Sequence, residues 1–236
     1  MKKLAVVTGG SKGIGKALLM QLAREGFSLA TCARNVEALA EVRQEILEKN
    51  PSVSFFYQQA DMAKPDEVRQ FSEAIVQLGV PINVLVNNAG VFIPGQIHTE
   101  GPGVFEQTMH TNVFGVYHLT RALLPGMIEQ RGGHIFNVCS TASITAYANG
   151  GSYCVSKFAL LGMSKVLREE LKPHNIRVTS VLPGATLTAS WEGTELPPER
   201  FMPPEDVAEA IVAAYQLSAR TVVEEIVLRP QLGDIT

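Results

Sequence analysis

Short apolar runs rich in β-branched residues alternate along this chain with longer amphipathic stretches. This alternation is typical of a parallel sheet whose strands are joined by crossover helices. We predict strands near residues 3–8, 27–32, 53–58, 82–87, 133–139, 176–182 and 224–229. We predict helices near residues 13–25, 35–49, 65–78, 103–130, 152–171 and 204–217. The fold class is therefore α/β, a doubly wound parallel sheet of about seven strands with helices on both faces.

Length and composition limit the chain to one ordinary globular unit. The 236 residues suit a single α/β domain spanning 1–236, and no repeat or linker divides them. A net charge of −3 argues against nucleic-acid binding. No apolar run reaches the roughly 18 residues needed to span a bilayer. The basic start and short apolar run end at Gly9 and Gly10 without a cleavage site, so we expect no signal peptide.

The cysteines and histidines indicate neither a disulfide framework nor a metal site. Cys32, Cys139 and Cys154 are odd in number and lie in apolar segments. We interpret them as reduced core residues of a cytoplasmic protein. The 5 histidines lack the spacing of zinc ligands relative to cysteines or acidic residues. We therefore predict that no metal is bound.

A glycine-rich turn follows the first predicted strand and precedes the first predicted helix. Its sequence is Thr8-Gly9-Gly10-Ser11-Lys12-Gly13-Ile14-Gly15. Glycines allow unusual dihedral angles and close approach of a ligand, and the helix N-terminus attracts an anion. This context predicts a Rossmann-type dinucleotide site, although the spacing differs from the strict G-x-G-x-x-G. The alternative is an ordinary glycine-rich turn.

The residues that end the second predicted strand discriminate between the two nicotinamide dinucleotides. Leu29-Ala-Thr-Cys-Ala-Arg34 contains no carboxylate for a ribose 2′-hydroxyl. Arg34 stands where a 2′-phosphate needs a cation, and Lys12 is a second candidate. We predict NADP(H) as the cofactor. The alternative is that both charges are simply solvated.

Three side chains further along the chain form a candidate proton-transfer site. Tyr153 and Lys157 are four residues apart, which places them on one face of a helix. We expect the ammonium group to lower the pKa of the phenol from about 10 toward neutral pH. Such a phenol can exchange a proton with a carbonyl or alcohol oxygen. Ser140 precedes Tyr153 by 13 residues and is a candidate to hold that oxygen.

These features occur in the order of a known family. The motifs are Thr8-Gly-x-x-x-Gly13-x-Gly15, Asn87-Asn88-Ala89-Gly90, Asn112, Ser140, Tyr153-x-x-x-Lys157 and Pro183-Gly184. Together they resemble the short-chain dehydrogenases/reductases over almost the whole chain. The resemblance is to NADP-preferring members, including 3-oxoacyl reductases. The C-terminal Val223-to-Gln231 segment is more similar to broad-specificity carbonyl and 3-hydroxy acid dehydrogenases.

The resemblance implies a role for each catalytic candidate. Tyr153 would be the general acid in carbonyl reduction, and Lys157 would lower its pKa and bind the nicotinamide ribose. Ser140, preferred to Ser143 by its offset from Tyr153, would polarise the substrate oxygen. Asn112 would support a water that links Lys157 to solvent.

The resemblance also implies a set of cofactor contacts. The residues are Gly9, Ser11, Lys12, Gly13, Ile14, Gly15, Arg34, Asp61, Met62, Asn88, Tyr153, Lys157, Pro183, Gly184 and Thr188. Asp61 would contact the adenine, Asn88 would lie beside the adenine ribose, and Thr188 would bind the carboxamide. Pro183-Gly184 would lie beside the nicotinamide.

We expect the substrate to be a small carbonyl or alcohol compound, and the sequence indicates only which segments line its pocket. Residues 186–204 are irregular and proline-rich, as binding loops often are. With Trp191, this loop and the segment 91–94 predict an apolar pocket, to which Tyr147 is a further candidate. The alternative functions are an NAD-linked alcohol or hydroxy acid dehydrogenase and a non-catalytic nucleotide sensor.

The predicted helix that carries Tyr153 continues as an apolar stretch around much of its circumference. One face must contact the sheet, and an opposite apolar face suggests a second chain. The family commonly pairs this helix and the preceding one across a two-fold axis. We therefore expect a homodimer or a homotetramer.

Overall fold

The computed structural model describes residues 3–191 and 193–235, and it contains a seven-stranded parallel sheet. The strands are β1 (Leu4–Thr8), β2 (Ser28–Ala33), β3 (Phe55–Gln59), β4 (Ile82–Asn87), β5 (His134–Val138), β6 (Arg177–Pro183) and β7 (Glu225–Leu228). Their order across the sheet is β3-β2-β1-β4-β5-β6-β7. The predicted α/β fold with about seven parallel strands is confirmed.

Helices cover both faces of this sheet. They are α1 (Gly13–Arg24), α2 (Val36–Lys49), α3 (Pro65–Gln77), α4 (Val104–Met109), α5 (Gly115–Glu129), α6 (Gly151–Leu171) and α7 (Pro204–Gln216). On one face α1, α2 and α7 bury residues such as Leu22, Ile46 and Ile211. On the other face α3 and α5 bury Phe71 and Leu123. Each buried face faces the sheet because the apolar residues recur at helical spacing.

Local sequence signals explain where several helices begin. Asn35 precedes α2, and its Oδ1 accepts a hydrogen bond from the Ala38 N–H at 2.8 Å. Such a side chain satisfies one of the N–H groups that the first turn leaves unpaired. Pro65 and Pro204 open α3 and α7, where a missing N–H costs nothing.

The predicted helix 103–130 is interrupted in the structure. A π-helical segment, His110–Phe114, separates α4 from α5. Asn112 lies in this segment, and the first residue of α5, Gly115, lies against the carbonyl of Met62, where a Cβ would overlap. A π-segment inserts one residue into the helical turn. Hydrophobic periodicity cannot detect one inserted residue, so the sequence indicated one continuous helix.

The topology brings the carboxyl ends of the strands to one edge of the sheet. The strand order reverses between β1 and β4, which is the switch point at which doubly wound sheets bind ligands. Thr8, Asn87, Val138 and Pro183 end the strands at this edge. Within residues 3–191 and 193–235, no helix combines the length and apolarity needed to cross a membrane.

Candidate active site

The turn between β1 and α1 is built from backbone groups. Gly9 and Gly13 have φ angles of +72° and +54°, which side chains rarely adopt. At Gly15 a Cβ would overlap the carbonyl oxygen of Gly9. The Gly9 N–H donates to the Cys32 carbonyl at 2.8 Å, which ties the turn to the end of β2. The N-terminus of α1 therefore follows a narrow turn that an anion can approach closely.

Thr8 joins this turn to the end of β4. Its Oγ1 accepts hydrogen bonds from the N–H groups of Asn88 and Ala89, both at 3.0 Å. Asn88 Nδ2 in turn donates to the carbonyl of Thr8 at 2.8 Å. The predicted cofactor residue Asn88 thus lies directly beside the glycine turn. Sequence analysis assigned no role to Thr8, because its partners lie 80 and 81 positions away.

The ends of β2 and β3 carry the residues predicted for the adenosine half of a dinucleotide. Arg34 is exposed after β2, and its carbonyl accepts a hydrogen bond from Gln59 Nε2 at 3.0 Å. Asp61 Oδ1 accepts from the Ala63 N–H at 2.9 Å. Met62 is only 4% exposed, and its side chain packs in the core. Arg34 and Asp61 therefore border the crevice, and the side chain of Met62 lies beneath it.

The segment after β6 crosses toward the glycine turn. The Gly184 N–H donates to the Leu228 carbonyl at 2.8 Å, which holds the start of the segment against β7. Thr188 then contacts Gly13, where a Cβ would lie 3.1 Å from Thr188 Cγ2. Of the remaining predicted cofactor residues, Ser11 and Lys12 lie in the glycine turn, Ile14 lies in the first turn of α1, and Pro183 ends β6.

The loop 186–204 is held at its base and mostly exposed beyond it. The Leu187 N–H donates to the Met202 carbonyl at 2.8 Å, and the Met202 N–H donates to the Ala185 carbonyl at 3.0 Å. Trp191 packs on Phe201 with 5.0 Å between ring centroids. Glu192 belongs to the predicted loop and lies outside the described residues.

Ser140 directly follows the end of β5, and the geometry distinguishes it from Ser143. Ser140 Oγ accepts from the Ala142 N–H at 3.1 Å and donates to the Pro183 carbonyl at 3.4 Å. Ser143 Oγ accepts from the Ser140 N–H at 3.2 Å, so it supports the turn. Of the two serines, Ser140 is the one whose hydroxyl acts to lower the pKa of the Tyr153 phenol.

Tyr153 and Lys157 both lie on α6 and face the crevice, as their spacing predicted. Tyr153 packs edge-on against Phe92, with 4.9 Å between ring centroids. Lys157 is 5% exposed, and its Nζ lies 5.7 Å from the Tyr153 ring centroid. The same Nζ donates a hydrogen bond to the Val138 carbonyl at 2.8 Å.

The expectation that Lys157 lowers the pKa of Tyr153 is wrong for this structure. Burial raises the pKa of Tyr153 to about 12, and the hydrogen bond with Ser140 offsets only part of that rise. Burial also lowers the pKa of Lys157 to about 8. The cause is desolvation, which disfavours the charged form of both groups. The phenol is therefore protonated at neutral pH, which is the form a general acid requires.

Asn112 connects three elements around Tyr153. Its Oδ1 accepts from the Val91 N–H at 2.8 Å, and its Nδ2 donates to the Val91 carbonyl and to Ser156 Oγ, both at 3.0 Å. Ser156 Oγ donates to the Tyr153 carbonyl at 2.7 Å. The π-segment, the chain after β4 and α6 are thus joined through one amide. Nothing in the sequence indicated Ser156 or the bonds between Asn112 and Val91, and the water relay assigned to Asn112 stays a prediction.

Neither the cysteines nor the acidic residues form a second chemical centre in the part of the chain that the structure describes. Cys32, Cys139 and Cys154 are free and buried. Burial raises the pKa of the Cys32 thiol to about 12, which keeps it protonated and unreactive. No three His, Cys, Asp or Glu side chains come together as possible metal ligands among residues 3–191 and 193–235.

A glycine turn after β1, Ser140 after β5 and the Tyr153–Lys157 pair on α6 lie at one edge of a doubly wound sheet, an arrangement that indicates a nucleotide-dependent oxidoreductase. The family model described as short chain dehydrogenase matches residues 3–197. The chain therefore belongs to the short-chain dehydrogenase family and is an oxidoreductase of that family. The predicted family and enzyme class are confirmed.

Individual relatives and solved structures are similar to this chain over almost its whole length. The chain is 35% identical to a sepiapterin reductase of Chlorobaculum tepidum, with 100% of this chain and 99% of the relative covered. An alcohol dehydrogenase of Thermococcus sibiricus, solved with 5-hydroxy-NADP, superposes with a TM-score of 0.92 at 28% identity, with both chains covered completely. The L-sorbose reductase of Gluconobacter frateurii, solved with NADPH and L-sorbose, gives 0.89 at 28% identity and covers 97% and 95% of the two chains.

Proposed function

We propose that the protein is an NADPH-dependent reductase that converts a ketone or an aldehyde to an alcohol, reversibly. The observation that carries the proposal is that Tyr153, with Lys157 beside it, lies on α6 at the edge of the sheet where the glycine turn also lies. A proton donor and a nucleotide cradle at one sheet edge are the two parts that carbonyl reduction needs.

The glycine turn fits a dinucleotide because Gly9, Gly13 and Gly15 keep side chains out of the backbone turn that precedes α1. Its N–H groups and the N-terminus of α1 would hold the pyrophosphate. The exposed guanidinium of Arg34, with Lys12, would bind the 2′-phosphate of NADPH. When bound, NADPH supplies the hydride. The NADP-bound alcohol dehydrogenase and the NADPH-bound sorbose reductase support this choice of cofactor.

The chain's own residues would hold the substrate oxygen and transfer the proton to it. Ser140 Oγ, with its hydrogen bond to the Pro183 carbonyl exchanged for the substrate, would hold the carbonyl oxygen. Tyr153 would donate its proton to that oxygen as negative charge develops there. Lys157 would bind the ribose hydroxyls and so fix the nicotinamide end of the cofactor beside Tyr153. Asn112 would hold the loop and α6 in register and support the water that returns a proton to the site.

The pocket for the substrate would lie between the chain after β4 and the loop 186–204. Phe92 packs on Tyr153, and Trp191 packs against Phe201 within the loop, so both segments carry aromatic side chains. An apolar lining favours carbonyl compounds with aromatic or aliphatic bulk. The 35% sequence identity to a sepiapterin reductase supports including sepiapterin among the candidate substrates.

The proposed enzyme is a cytoplasmic homodimer or homotetramer. Six large apolar side chains are exposed along α4, the π-segment, α5 and α6, namely Phe105, Phe114, Tyr117, Val155, Phe158 and Val166. An exposed apolar surface of this kind is typical of a protein interface. Light scattering at micromolar concentration should give the mass of two or four chains, and the mass of one chain would refute the assembly.

The function is tested by a panel of carbonyl substrates, including sepiapterin, followed at the NADPH absorbance and repeated with NADH. We expect turnover with NADPH, and Tyr153→Phe should reduce kcat by about 10³-fold because general acid catalysis contributes 10²–10⁴-fold. NADPH binding to this variant should change less than about twofold. Tyr57→Phe on the edge strand β3 is the matched control. Turnover of Tyr153→Phe within about tenfold of the wild type would refute the role of Tyr153.

A further inference from the structure

Glu100 reaches from the segment after β4 to the first turn of α6. Its Oε1 accepts a hydrogen bond from the Ser152 N–H at 2.8 Å, and its Oε2 accepts one from Ser152 Oγ. Ser152 immediately precedes Tyr153 in the chain. Both carboxylate oxygens are therefore bound at the residue next to the proposed proton donor.

Two glycines make room for this carboxylate. At Gly151 a Cβ would overlap Glu100 Oε1 and lie 2.7 Å from the Gly95 carbonyl oxygen. At Gly95 a Cβ would lie 2.8 Å from Glu100 Cγ. Side chains do not approach so closely, so Gly95 and Gly151 are the residues that allow Glu100 to reach Ser152. The Glu100–Ser152 contact therefore depends on a glycine in the segment after β4 and on another at the start of α6.

Within α6 itself, nothing else supplies this cap. The N-cap residue Gly150 provides no side-chain hydrogen bond, and the first turn of α6 contains no acidic residue. A helix of 21 residues has unpaired N–H groups and a positive dipole end at its N-terminus. Glu100 provides from outside the helix what a capping residue normally provides from within it.

The same segment holds Tyr153 from a second side. The Gly95 N–H donates to the Asn149 carbonyl at 3.0 Å, just before α6 begins. Phe92 lies against the Tyr153 ring. The backbone before Tyr153 and the ring of Tyr153 are therefore both fixed by residues 92–100.

We propose that Glu100 is a positioning residue for the reaction: by binding Ser152 it fixes the first turn of α6 and thereby the place of the Tyr153 hydroxyl relative to the substrate oxygen. This inference rests on the proposed function. A small displacement of a catalytic group has a large effect on rate, because proton transfer requires hydrogen-bond distance in the reacting complex. The effect belongs to kcat, since Glu100 does not touch the proposed cofactor site.

The test compares Glu100→Ala with Glu100→Gln in the full-length protein. Glutamine retains an acceptor for the Ser152 N–H and a donor for Ser152 Oγ, whereas alanine loses both. We expect kcat for carbonyl reduction to fall about tenfold or more in Glu100→Ala and to stay within about threefold in Glu100→Gln. The KM for NADPH should change less than about twofold in both variants.

Glu41→Ala, which removes an exposed carboxylate from α2, is the matched control. Equal kcat in Glu100→Ala and Glu41→Ala would overturn the inference, as would a loss in Glu100→Gln as large as that in Glu100→Ala. The failure of the proposed function is a separate result, because it requires that wild-type protein reduce none of the carbonyl panel. If Tyr153→Phe is inactive and Glu100→Ala is normal, the function stands and the positioning role fails. Glu100→Ala must be folded at the assay temperature, which a cooperative unfolding transition checks. Ser152→Ala removes one of the two hydrogen bonds and should give a smaller loss of kcat.

Discussion

The two ends of the crevice are built from different parts of the chain. At the β1–α1 end, glycine backbone forms the turn, and the missing side chain of Gly15 lets α1 pack directly against the Gly9 carbonyl. At the β5–α6 end, side chains form the site, and Tyr153 and Lys157 lie where desolvation disfavours their charged forms. A backbone cradle can bind an anion without burying a charge of its own, whereas an acid–base site must hold ionisable groups away from water.

The largest effect is expected at the β1–α1 end, where one added methyl group should weaken both cofactor binding and stability. Gly15→Ala places a Cβ onto the Gly9 carbonyl, so we expect the Kd for NADPH to rise about 100-fold and the free energy of unfolding to fall by about 2 kcal/mol. Fluorescence titration and chemical denaturation measure these quantities. Gly126→Ala in α5 is the control, because nothing lies within 4 Å of its Cβ, and it should raise stability by about 0.5–1 kcal/mol. Equal behaviour of the two variants would contradict the close fit of the turn.

The buried charge at the β5–α6 end should make the free energy of unfolding depend on pH. Lys157 has a folded-state pKa of about 8, below the ordinary value of 10.5, so between these values the unfolded chain binds more protons and stability rises with pH. Below about pH 8 the cost of burying the ammonium group is fully present. We expect the free energy of unfolding of the wild type to rise by about 2 kcal/mol relative to Lys157→Met between about pH 7.5 and pH 9.5. Urea denaturation of the cofactor-free proteins checks this, and parallel pH curves would show that the ammonium group is solvated.

The smallest effect is expected at the exposed rim of the β1–α1 end. Arg34→Ala should raise the KM for NADPH about tenfold and leave the KM for NADH unchanged, since one charge-assisted contact contributes about 1.5 kcal/mol. Arg43→Ala, which removes another exposed guanidinium from α2, should leave both values unchanged. A higher KM for NADH in Arg34→Ala would mean that Arg34 supports the turn instead of recognising the 2′-phosphate.

Sequence reasoning predicted most of the fold and the positions of the main site residues. The strand pattern and the glycine turn depend on local residue types, and the helical spacing of Tyr153 and Lys157 depends on one element. Ser140 was separated from Ser143 by its offset from Tyr153, and its role stays a prediction; in the structure Ser143 Oγ accepts from the Ser140 N–H.

What the sequence did not reveal depends on contacts between distant segments. The Glu100–Ser152 contact joins residues 52 positions apart, and no periodicity connects them. The pKa of Tyr153 was predicted in the wrong direction because residue spacing gives the distance to Lys157 but not the degree of burial. The π-segment at Asn112 was not predicted because it lies inside a continuous helical stretch, where a local shift in the apolar pattern resembles ordinary irregularity.

The contact between Glu100 and the start of α6 also limits how this protein can be redesigned. Residues 91–94 face the proposed substrate pocket, and a designer who wants a new specificity would replace the loop that carries them. That loop ends in the carboxylate that caps α6, in space left by Gly95 and Gly151. A transplanted loop that lacks Glu100 would leave the cap of α6 open, and the same loop placed opposite a larger residue at 151 would not fit. The proposed substrate pocket and the proposed positioning of Tyr153 therefore depend on the same loop. A successful loop exchange must carry residues 95, 100, 151 and 152 together.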